Sequence, residues 1–392
     1  MNDLSLEFPP TLEAAHTRLA AVNIGQYAKT RNAIGGAISR LSPYVTHGFL
    51  SFPQIASAVQ HQTGFNPQHK FVFELGWRAY FHHVWAHLGN GIFKSLHEGI
   101  LPESAYQQGL PADIQTASTG IPVIDQAVQQ LIQTGYLHNH ARMWLASYIV
   151  HIRKVHWLVG ANWMYSHLLD GDLASNMLSW QWVAGTGSSK PYLFNAENVA
   201  KYAPKAWYSE GTVIDASYED LNALARSIPN VSPLHPTPLD LLGLPPKIQT
   251  ASQAQLAELL IGTNVLLVHP WSLGELPNEL PTDTFILGVF DSAFHAAHPW
   301  SERRWHWILE RMQALCHGCI APTVDALQAM LNEASSVQYA VNPHAVWLNK
   351  LTHSKLTVTE LPKLFTDVDV YCKSFSAWWN KANMRPLSEF EI

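Results

Sequence analysis

The segment Asp170-Gly-Asp-Leu-Ala-Ser-Asn-Met-Leu-Ser-Trp-Gln-Trp182 places a carboxylate, an amide and an indole at helical spacing. Asp172, Asn176 and Trp180 are four residues apart, so they share one face of a helix. That face is too polar for a hydrophobic stripe, and the segment is too rich in tryptophan for a solvated surface. The pattern predicts the wall of a polar pocket. The alternative is a buried polar cluster that only fixes helix packing.

The composition indicates a globular chain without a membrane anchor. Its 392 residues are 47% hydrophobic and carry a net charge of −6. No apolar run approaches the roughly 20 residues that span a bilayer, and residues 1–10 lack the basic and apolar regions of a signal peptide. We therefore expect a cytoplasmic protein. Residues 1–210 are near neutral and residues 211–392 are acidic, so an anionic partner should meet the first half.

The first half of the chain has a helical pattern with recurrent helix boundaries. Ser42-Pro43 and Ser51-Phe-Pro53 each place a hydroxyl cap before an early proline, and Gly135 can end a helix. Residues 227–248 contain six prolines, too many for a helix or a central strand. These signals predict a helical domain over residues 1–205 and a proline-rich linker over residues 206–260.

Short apolar runs follow the linker. Residues 264–269 and 284–290 read as buried parallel strands, and residues 337–341 as a further strand between helices near 323–333 and 374–382. This alternation predicts a small, doubly wound α/β domain over residues 261–392. The fold class is therefore mainly α, a helical domain followed by a smaller α/β domain.

The three cysteines, Cys316, Cys319 and Cys372, fit a reducing compartment and no disulfide framework. Cys316-His-Gly-Cys319 has the spacing of a redox or metal motif, but a four-thiolate site lacks its fourth ligand. We expect structural thiols and no metal site.

Three further clusters repeat the logic of the opening segment. Glu74, Trp77 and Arg78 are spaced for one helix face, as are Asn139, Arg142 and Met143. Arg40 and its neighbouring hydroxyls precede a proline-initiated helix, where unpaired N–H groups favour an anion such as phosphate. Together the clusters indicate an extended, nucleotide-like ligand.

Four motifs within residues 25–205 resemble the FAD-binding domain of the DNA photolyase and cryptochrome family, in the same order and spacing. These motifs are Ser39-Arg-Leu-Ser-Pro-Tyr44, Glu74–Arg78, Thr134-Gly-Tyr-Leu-His-Asn-His-Ala-Arg-Met143 and Asp170–Trp182. The resemblance implies an all-helical photolyase-type domain with a bent FAD at its centre.

The resemblance also implies roles for individual side chains. The residues it places at FAD are Tyr27, Ser39, Arg40, Leu41, Ser42, Arg78, Asn139, Arg142, Asp170, Asp172 and Asn176. Ser39–Ser42 would lie along the pyrophosphate, Asp170 and Asp172 would contact the flavin and its ribityl chain, and Asn176 would lie near flavin N5.

An electron path is implied by the same resemblance. Trp180 would be nearest the flavin and Trp157 next, whereas Ser104 falls where the family has its third, surface tryptophan. Tyr106 and Trp163 are alternatives for the third carrier. Trp180, Trp157, Asn176 and Glu74 are the predicted catalytic residues.

The positions that would contact a lesion match photolyases of the cyclobutane-dimer class. The predicted lesion contacts are Glu74, Trp77, Asn139, Met143 and Trp182. A damaged, poorly stacked base is the cheapest to flip out of DNA. Asn139 and Met143 occupy the places of the histidine pair of (6-4) photolyases, which favours the cyclobutane-dimer class.

The C-terminal half resembles the α/β antenna domain that precedes the flavin domain in this family. The matching pieces are residues 288–294, 298–307 and 373–381, so we expect an antenna-like domain after the flavin domain, with its second chromophore unidentified.

The resemblance thus implies a light-driven enzyme of the deoxyribodipyrimidine photo-lyase type that acts on damaged DNA as a monomer. Single-stranded DNA is the variant that weak positive charge favours. The main alternative is a cryptochrome-like blue-light photoreceptor or redox flavoprotein with a signalling protein partner and no repair activity. A family member that has lost its cofactor is a third.

Overall fold

The computed structural model describes residues 7–228, 241–249 and 253–390. Within these ranges a helical part is followed by an α/β part, which confirms the order predicted from the sequence. The prolines between residues 229 and 240 fall outside the described residues.

The helical part is built from α-helices joined by loops that include 3-10 turns. Its described helices are α1 (Leu12–Ala20), α2 (Ile24–Thr30), α3 (Ser42–Thr46), α4 (Phe52–Val59), α5 (Lys70–Leu88), α6 (Ala112–Gln115), α7 (Pro122–Thr134), α8 (Asn139–Ser147), α9 (Trp157–His167), α10 (Leu173–Ala184), α11 (Ala196–Tyr202) and α12 (Tyr218–Arg226). A π-helical turn, Tyr148–Ile152, follows α8.

Local capping explains where several helices begin and end. Ser51 and Gln54 form a reciprocal capping box at the start of α4. Gly135 ends α7 with φ of 68°, a left-handed conformation that glycine adopts without steric cost. The predicted cap at Ser42 is wrong by one residue. Leu41 is the cap residue of α3, no side chain makes a cap hydrogen bond there, and Ser42 is the first helical residue.

Helix α10 lies at the centre of the helical part. It packs against α5, α8 and α9. Its buried residues surround the helix axis, because neighbours cover it on several sides. The segment that the sequence analysis singles out is therefore an interior helix.

The α/β part contains a five-stranded parallel sheet. Its strands are β1 (Asn264–Val268), β2 (Phe285–Val289), β3 (Gly318–Ile320), β4 (Ser336–Ala340) and β5 (Leu356–Thr359), and the described helices after α12 are α13 (Pro246–Gln249), α14 (Gln253–Leu260), α15 (Ser292–Ala297), α16 (Glu302–Leu315), α17 (Val324–Leu331) and α18 (Phe375–Trp379). The strand order is β3-β2-β1-β4-β5, with every pair parallel. The three predicted strands match β1, β2 and β4, while the edge strands β3 and β5 were not predicted.

Loops that follow β1 and β4 meet at the carboxyl end of the sheet, where an open α/β sheet commonly binds ligands. Here the two loops fill that crevice with their own side chains. Trp271 and His344 are buried and stack with ring centroids 4.7 Å apart and planes 12° from parallel.

Two segments pack on the helical part from outside its predicted range. Within the predicted linker, α12 buries Leu221 and Ala225, and Lys154 Nζ donates to the carbonyl oxygens of Leu224 and Ala225. Near the end of the chain, residues 364–382 pack against α5 and not against the sheet.

One hydrophobic core extends through both parts of the chain, from Phe8 in the helical part to Leu351 in the α/β part. Among the described helices, none is both long and apolar enough to cross a membrane.

Candidate flavin site

Helix α10 begins directly after residues 170–172 of the opening segment, which we call the acidic turn. Asp172 is its cap residue, and the Asp172 carboxylate accepts a hydrogen bond from the Ser175 N–H at 2.8 Å. Gly185 ends the helix with φ of 78°. Asp172, Asn176 and Trp180 consequently follow one another along one face, as the spacing predicts.

A cavity of about 200 Å³ opens along this face. Its lining comes from α5, α8, α9, the acidic turn and α10: Glu74, Trp77, Arg78, Phe81, Asn139, Arg142, Met143, Ala146, Met164, Leu168, Asp170, Asp172, Ser175, Asn176, Ser179, Trp180 and Val183. The structure therefore brings three of the four sequence clusters to one site.

Asp172 carries a buried negative charge at the cavity wall. Its side chain is 1% exposed, 2.8 Å from His82 Nε2 and 3.3 Å from Arg78 Nη2. Burial alone would raise the pKa of Asp172, but Arg78, His82 and His344 together hold this pKa well below 3.8. The carboxylate is thus ionised under ordinary conditions.

Asp170 forms the second ion pair of the cavity. Arg142 Nη2 lies 3.0 and 2.7 Å from the two carboxylate oxygens of Asp170, and Arg142 Nε donates to the Leu137 carbonyl oxygen. The guanidinium is thereby fixed at the start of α8. Two carboxylates and two guanidinium groups line the same wall.

Two polar groups of α10 retain hydrogen-bonding capacity at the cavity. Asn176 Nδ2 donates to the Ala161 carbonyl oxygen at 2.9 Å, and no described residue donates to Asn176 Oδ1. Ser175 Oγ is buried and lacks a hydrogen-bond partner among the described residues. An unsatisfied buried hydroxyl is costly without a ligand or water. Both groups suit a polar ligand.

Side chains of the α/β part hold the backbone of the acidic turn. Arg304 is fully buried, and its guanidinium donates to the carbonyl oxygens of Tyr165 and Gly171 at 2.7 and 2.8 Å. His344 Nε2 accepts from the Leu173 N–H at 3.1 Å and lies 3.7 Å from Asp172. The α/β part therefore supports the wall of the cavity from behind, without lining the cavity itself.

Trp180 lies between the cavity and helix α9. Its indole is 2% exposed, and a Cβ added at Gly160 would lie 2.5 Å from its Cη2 and Cζ3 atoms. Trp157 is one turn before Gly160 on α9 and is also buried. The two predicted electron carriers therefore lie along one route away from the cavity.

The contact at Gly160 gives a test of how Trp180 is positioned. We expect Gly160→Ala to lower the free energy of unfolding by about 1–3 kcal/mol, because the added methyl overlaps a ring that has no room to move. The control is Gly25→Ala on α2, where the nearest atom to an added Cβ is 3.5 Å away and a gain of about 0.4–1 kcal/mol is expected. Chemical denaturation measures both, and equal effects would contradict the close packing.

Four of the five predicted lesion contacts line the cavity, while Trp182 does not. Glu74, Asn139 and Met143 lie on its wall, and Asn139 Nδ2 is 3.6 Å from Met143 Sδ. Trp182 is 40% exposed and packs on Tyr192.

Trp77 has one face covered. Phe375 of α18 stacks on it with centroids 4.1 Å apart and planes 11° from parallel. The C-terminal residues 364–382 thus reach the edge of the cavity.

The residues predicted for the pyrophosphate lie outside the cavity lining. Arg40 pairs with Glu7 at 2.5 Å, and Leu41 is buried. Tyr27 packs edge-on against Phe71, and burial raises its pKa. The assignments of Tyr27 and Ser39–Ser42 to FAD stay predictions.

A sequence model of the FAD-binding domain of DNA photolyase matches residues 71–218. Over these residues the chain carries an FAD-binding domain similar to that of DNA photolyase. The matched residues of this FAD-binding domain include α5, α8, α9 and α10, which carry the cavity.

Relatives of this FAD-binding domain carry two kinds of name. A deoxyribodipyrimidine photo-lyase from Streptomyces griseus is 35% identical over 161 residues, 39% of this chain and 33% of that protein. A cryptochrome DASH from Idiomarina loihiensis is 30% identical over 242 residues, 57% of this chain and 53% of that protein. The chain thus spans between a third and about half of their length. The crystal structure of a Synechocystis cryptochrome aligns with a TM-score of 0.44 at 29% identity, over 49% of this chain and 43% of that one.

The cavity residues fit the flavin end of FAD. Asp172 and Asn176 offer acceptors, Ser175 has an unsatisfied hydroxyl, and Trp180 adds a flat apolar surface. These groups match a ring system with polar edges. FAD is the cofactor of this FAD-binding domain, and no cluster of three or more metal-ligating side chains occurs in the described part of the chain.

Sequence reasoning missed several residues of the site. His82 is four residues after Arg78 and shares its helix face, so the same spacing rule identifies it. Ser175 and Ser179 precede Asn176 and Trp180 on α10 by one residue each. Arg304 and His344 gave no local signal, because tertiary packing alone brings them to the acidic turn.

Proposed function

We propose that this protein uses blue or near-ultraviolet light to split cyclobutane pyrimidine dimers in DNA. The observation that carries this proposal is a single cavity with two kinds of lining. The α10 side suits a flavin, and the residues predicted to contact a lesion, Glu74, Trp77, Asn139 and Met143, line the same cavity. Bound FAD in its reduced form supplies the electron for dimer cleavage. The protein would then be a deoxyribodipyrimidine photo-lyase, and damaged DNA its partner.

The cavity residues support separate roles in such a reaction. Trp77 offers a stacking surface for a flipped base, and Phe375 holds the opposite face of the indole. Burial raises the pKa of Glu74, although Arg31 nearby opposes the shift. A carboxyl with a raised pKa can hold a proton for a carbonyl of the dimer. Asn139 adds amide donors at the same edge, and Asn176 offers an acceptor to the flavin.

A repair assay tests the proposal with reduced protein and dimer-containing oligonucleotides. We expect dimers to disappear only under light. Trp77→Ala should weaken lesion binding about 5- to 150-fold, since one stacked base is worth about 1–3 kcal/mol. Trp182 lies outside the cavity lining and is 40% exposed, so Trp182→Ala in addition should weaken binding by at most about the same factor again. Both variants should keep FAD, seen by its absorption.

The matched control removes an exposed aromatic residue away from the cavity. Tyr218→Ala should leave lesion binding unchanged, because Tyr218 is 49% exposed on α12. Persistent dimers under light, with FAD bound and reduced, would refute the repair function. Unchanged repair by the Trp77 and Trp182 variants would refute their role.

A light receptor without repair activity is the second candidate, and one observation favours it. Residues 364–382 already cover one face of Trp77, and the chain carries a net charge of −6. Such a receptor would act on a signalling protein and would bind DNA weakly. Binding measured across salt concentration separates the candidates, since contacts to several phosphates give a steep dependence.

The α/β part agrees with the predicted antenna-like domain in the order and direction of its strands, but not in having an open crevice for a second chromophore. Its β3-β2-β1-β4-β5 order is doubly wound, but Trp271 and His344 fill the crevice at the carboxyl ends of the strands. We infer that this part serves the flavin site by positioning the acidic turn.

A further inference from the structure

The indole N–H of Trp157 begins a hydrogen-bonded path to the protein surface. Trp157 Nε1 donates to Ser95 Oγ at 3.0 Å. Ser95 Oγ in turn donates to Glu103 Oε1 at 2.8 Å. The Trp157 side chain is only 3% exposed, whereas the Glu103 side chain is 69% exposed. A buried indole is thereby connected to solvent through one hydroxyl and one carboxylate.

Helix α10 holds this path in place. Gln181 follows Trp180 and is fully buried. Its side chain accepts from the Leu96 N–H and donates to the Ile92 carbonyl oxygen, both at 2.9 Å. The segment that carries Ser95 is therefore fixed to the helix that carries Trp180.

The hydrogen-bonded path begins at Trp157, which is also the outer member of the predicted electron-transfer pair Trp180–Trp157. Trp180 lines the flavin cavity and packs on α9 at Gly160, one turn from Trp157. Ala184 is one turn after Trp180 on α10, and it lines a second cavity of about 10 Å³ together with Trp157. The two cavities thus lie at the two ends of the Trp180–Trp157 pair.

The sequence is unusual at the outer end of this pair. Ser104 occupies the position at which the family resemblance expects a surface tryptophan, and Glu103 is its immediate neighbour. An indole that has lost an electron is a far stronger acid at its N–H than a neutral indole. A carboxylate connected to that N–H can accept the proton and prevent the electron from returning.

We propose that Ser95 and Glu103 form a proton exit for oxidised Trp157. Trp157 gives one electron to the oxidised indole of Trp180, which has given one to the light-excited flavin. The Trp157 N–H proton moves to Ser95 Oγ while the Ser95 hydroxyl proton moves to Glu103 Oε1. The products are one electron at the flavin, a neutral indole radical at Trp157 and a protonated Glu103, so charge and atoms balance.

Tyr106 and His156 are the other titratable groups that line the second cavity. His156 does not compete for the proton. His156 Nδ1 accepts from the Leu158 N–H at 3.3 Å, which leaves the ring proton on Nε2, 3.8 Å from Glu103 Oε1. Burial lowers the pKa of His156, although Glu103 opposes the shift, and the ring turns its Nε2–H and not a free lone pair toward Glu103.

The proposal rests on light-driven electron transfer to FAD and holds whether or not the protein repairs DNA. The test is transient absorption of the FAD-loaded protein with oxidised flavin, which separates indole radical cations from neutral indole radicals. In the unsubstituted protein we expect rapid conversion to the neutral radical, slower in D₂O. Glu103→Gln keeps an acceptor oxygen but cannot take a proton. It should slow the conversion on the order of 100-fold, and Ser95→Ala should do the same.

Glu98→Gln is the matched control, because it removes an equal charge from an exposed glutamate off the path. It should leave the conversion rate unchanged, and equal FAD content and melting temperature would show that the variants fold. An unchanged rate in Glu103→Gln would overturn the proton exit alone. Loss of the neutral radical signal in Tyr106→Phe would also overturn the proposal, because Tyr106 and not Trp157 would then be the last electron donor. No indole radical in the unsubstituted protein would refute the electron transfer itself.

Discussion

Replacing Asp172 by asparagine should lower the free energy of unfolding by about 3–5 kcal/mol and abolish FAD binding, because one partner of a buried charge cluster is removed. Arg78 and His82 would keep their places beside a neutral amide. Asparagine still caps a helix. Asp172→Ala should therefore cost about 1 kcal/mol more than Asp172→Asn. Chemical denaturation and FAD titration measure these effects.

The control for Asp172 is Asp367→Asn, which breaks an exposed ion pair with Lys363. Exposed pairs contribute about 0–1 kcal/mol, so this variant should keep its stability and its FAD. A loss below 1 kcal/mol in Asp172→Asn would contradict the buried cluster.

The pKa of Asp172 also sets the sign of an acid effect. Its folded-state pKa is well below 3.8, so the stability that the carboxylate contributes is fully present above about pH 4. That stability is lost as the pH falls further, through the folded-state pKa. Asp172→Asn should flatten this part of the stability profile, and an unchanged acid transition would contradict the assignment.

Replacing Arg304 by methionine should lower the free energy of unfolding by about 2–6 kcal/mol, because two buried carbonyl groups lose their donor at about 1–3 kcal/mol each. These carbonyls belong to Tyr165 and Gly171. FAD affinity should fall at least about tenfold, because the acidic turn loses the side chain that holds it in place. A tenfold loss corresponds to only about 1.4 kcal/mol of binding free energy. Arg304→Lys keeps the charge but not the forked geometry, so it should restore only part of both losses.

Substitution of Gly171 tests the contact between Arg304 and the acidic turn independently. A Cβ added there would lie 2.3 Å from Arg304 Nη1, so Gly171→Ala should displace the guanidinium. Its cost should be smaller in the Arg304→Met background than alone, as a double-mutant cycle would show. Arg303→Met is the control, because Arg303 is half-buried and donates to one carbonyl, that of Ile132. Equal losses for Arg303 and Arg304 would contradict the special role of the turn.

Local spacing predicted the part of the site that one or two helices carry. Asp172, Asn176 and Trp180 were found because four-residue spacing fixes a helix face, and the same rule places Glu74 beside Arg78. Strands β1 and β2 were predicted because they are continuous apolar runs. The short β3 and the polar β5 lack such a signal, since edge strands need less burial.

Contacts between distant segments could not be predicted in this way. Phe375 on Trp77 and Arg304 at the acidic turn depend on how the last third of the chain docks on the helices. No sequence period encodes that docking. Helical spacing grouped Trp77 with Glu74 and Asn139 with Met143, whereas their roles as lesion contacts came from the family resemblance. The structure brings these residues to one cavity.

The reach of His344 into the flavin wall also sets an order for biosynthesis. His344 accepts a hydrogen bond from the Leu173 N–H and lies 171 positions later in the sequence. At a translation rate of about 5–20 residues per second, roughly 10–35 s separate the synthesis of these two residues. A nascent chain therefore holds its acidic turn and α10 long before the ribosome has made the side chain that braces them. The finished pocket for the cofactor therefore exists only after His344 has been synthesised.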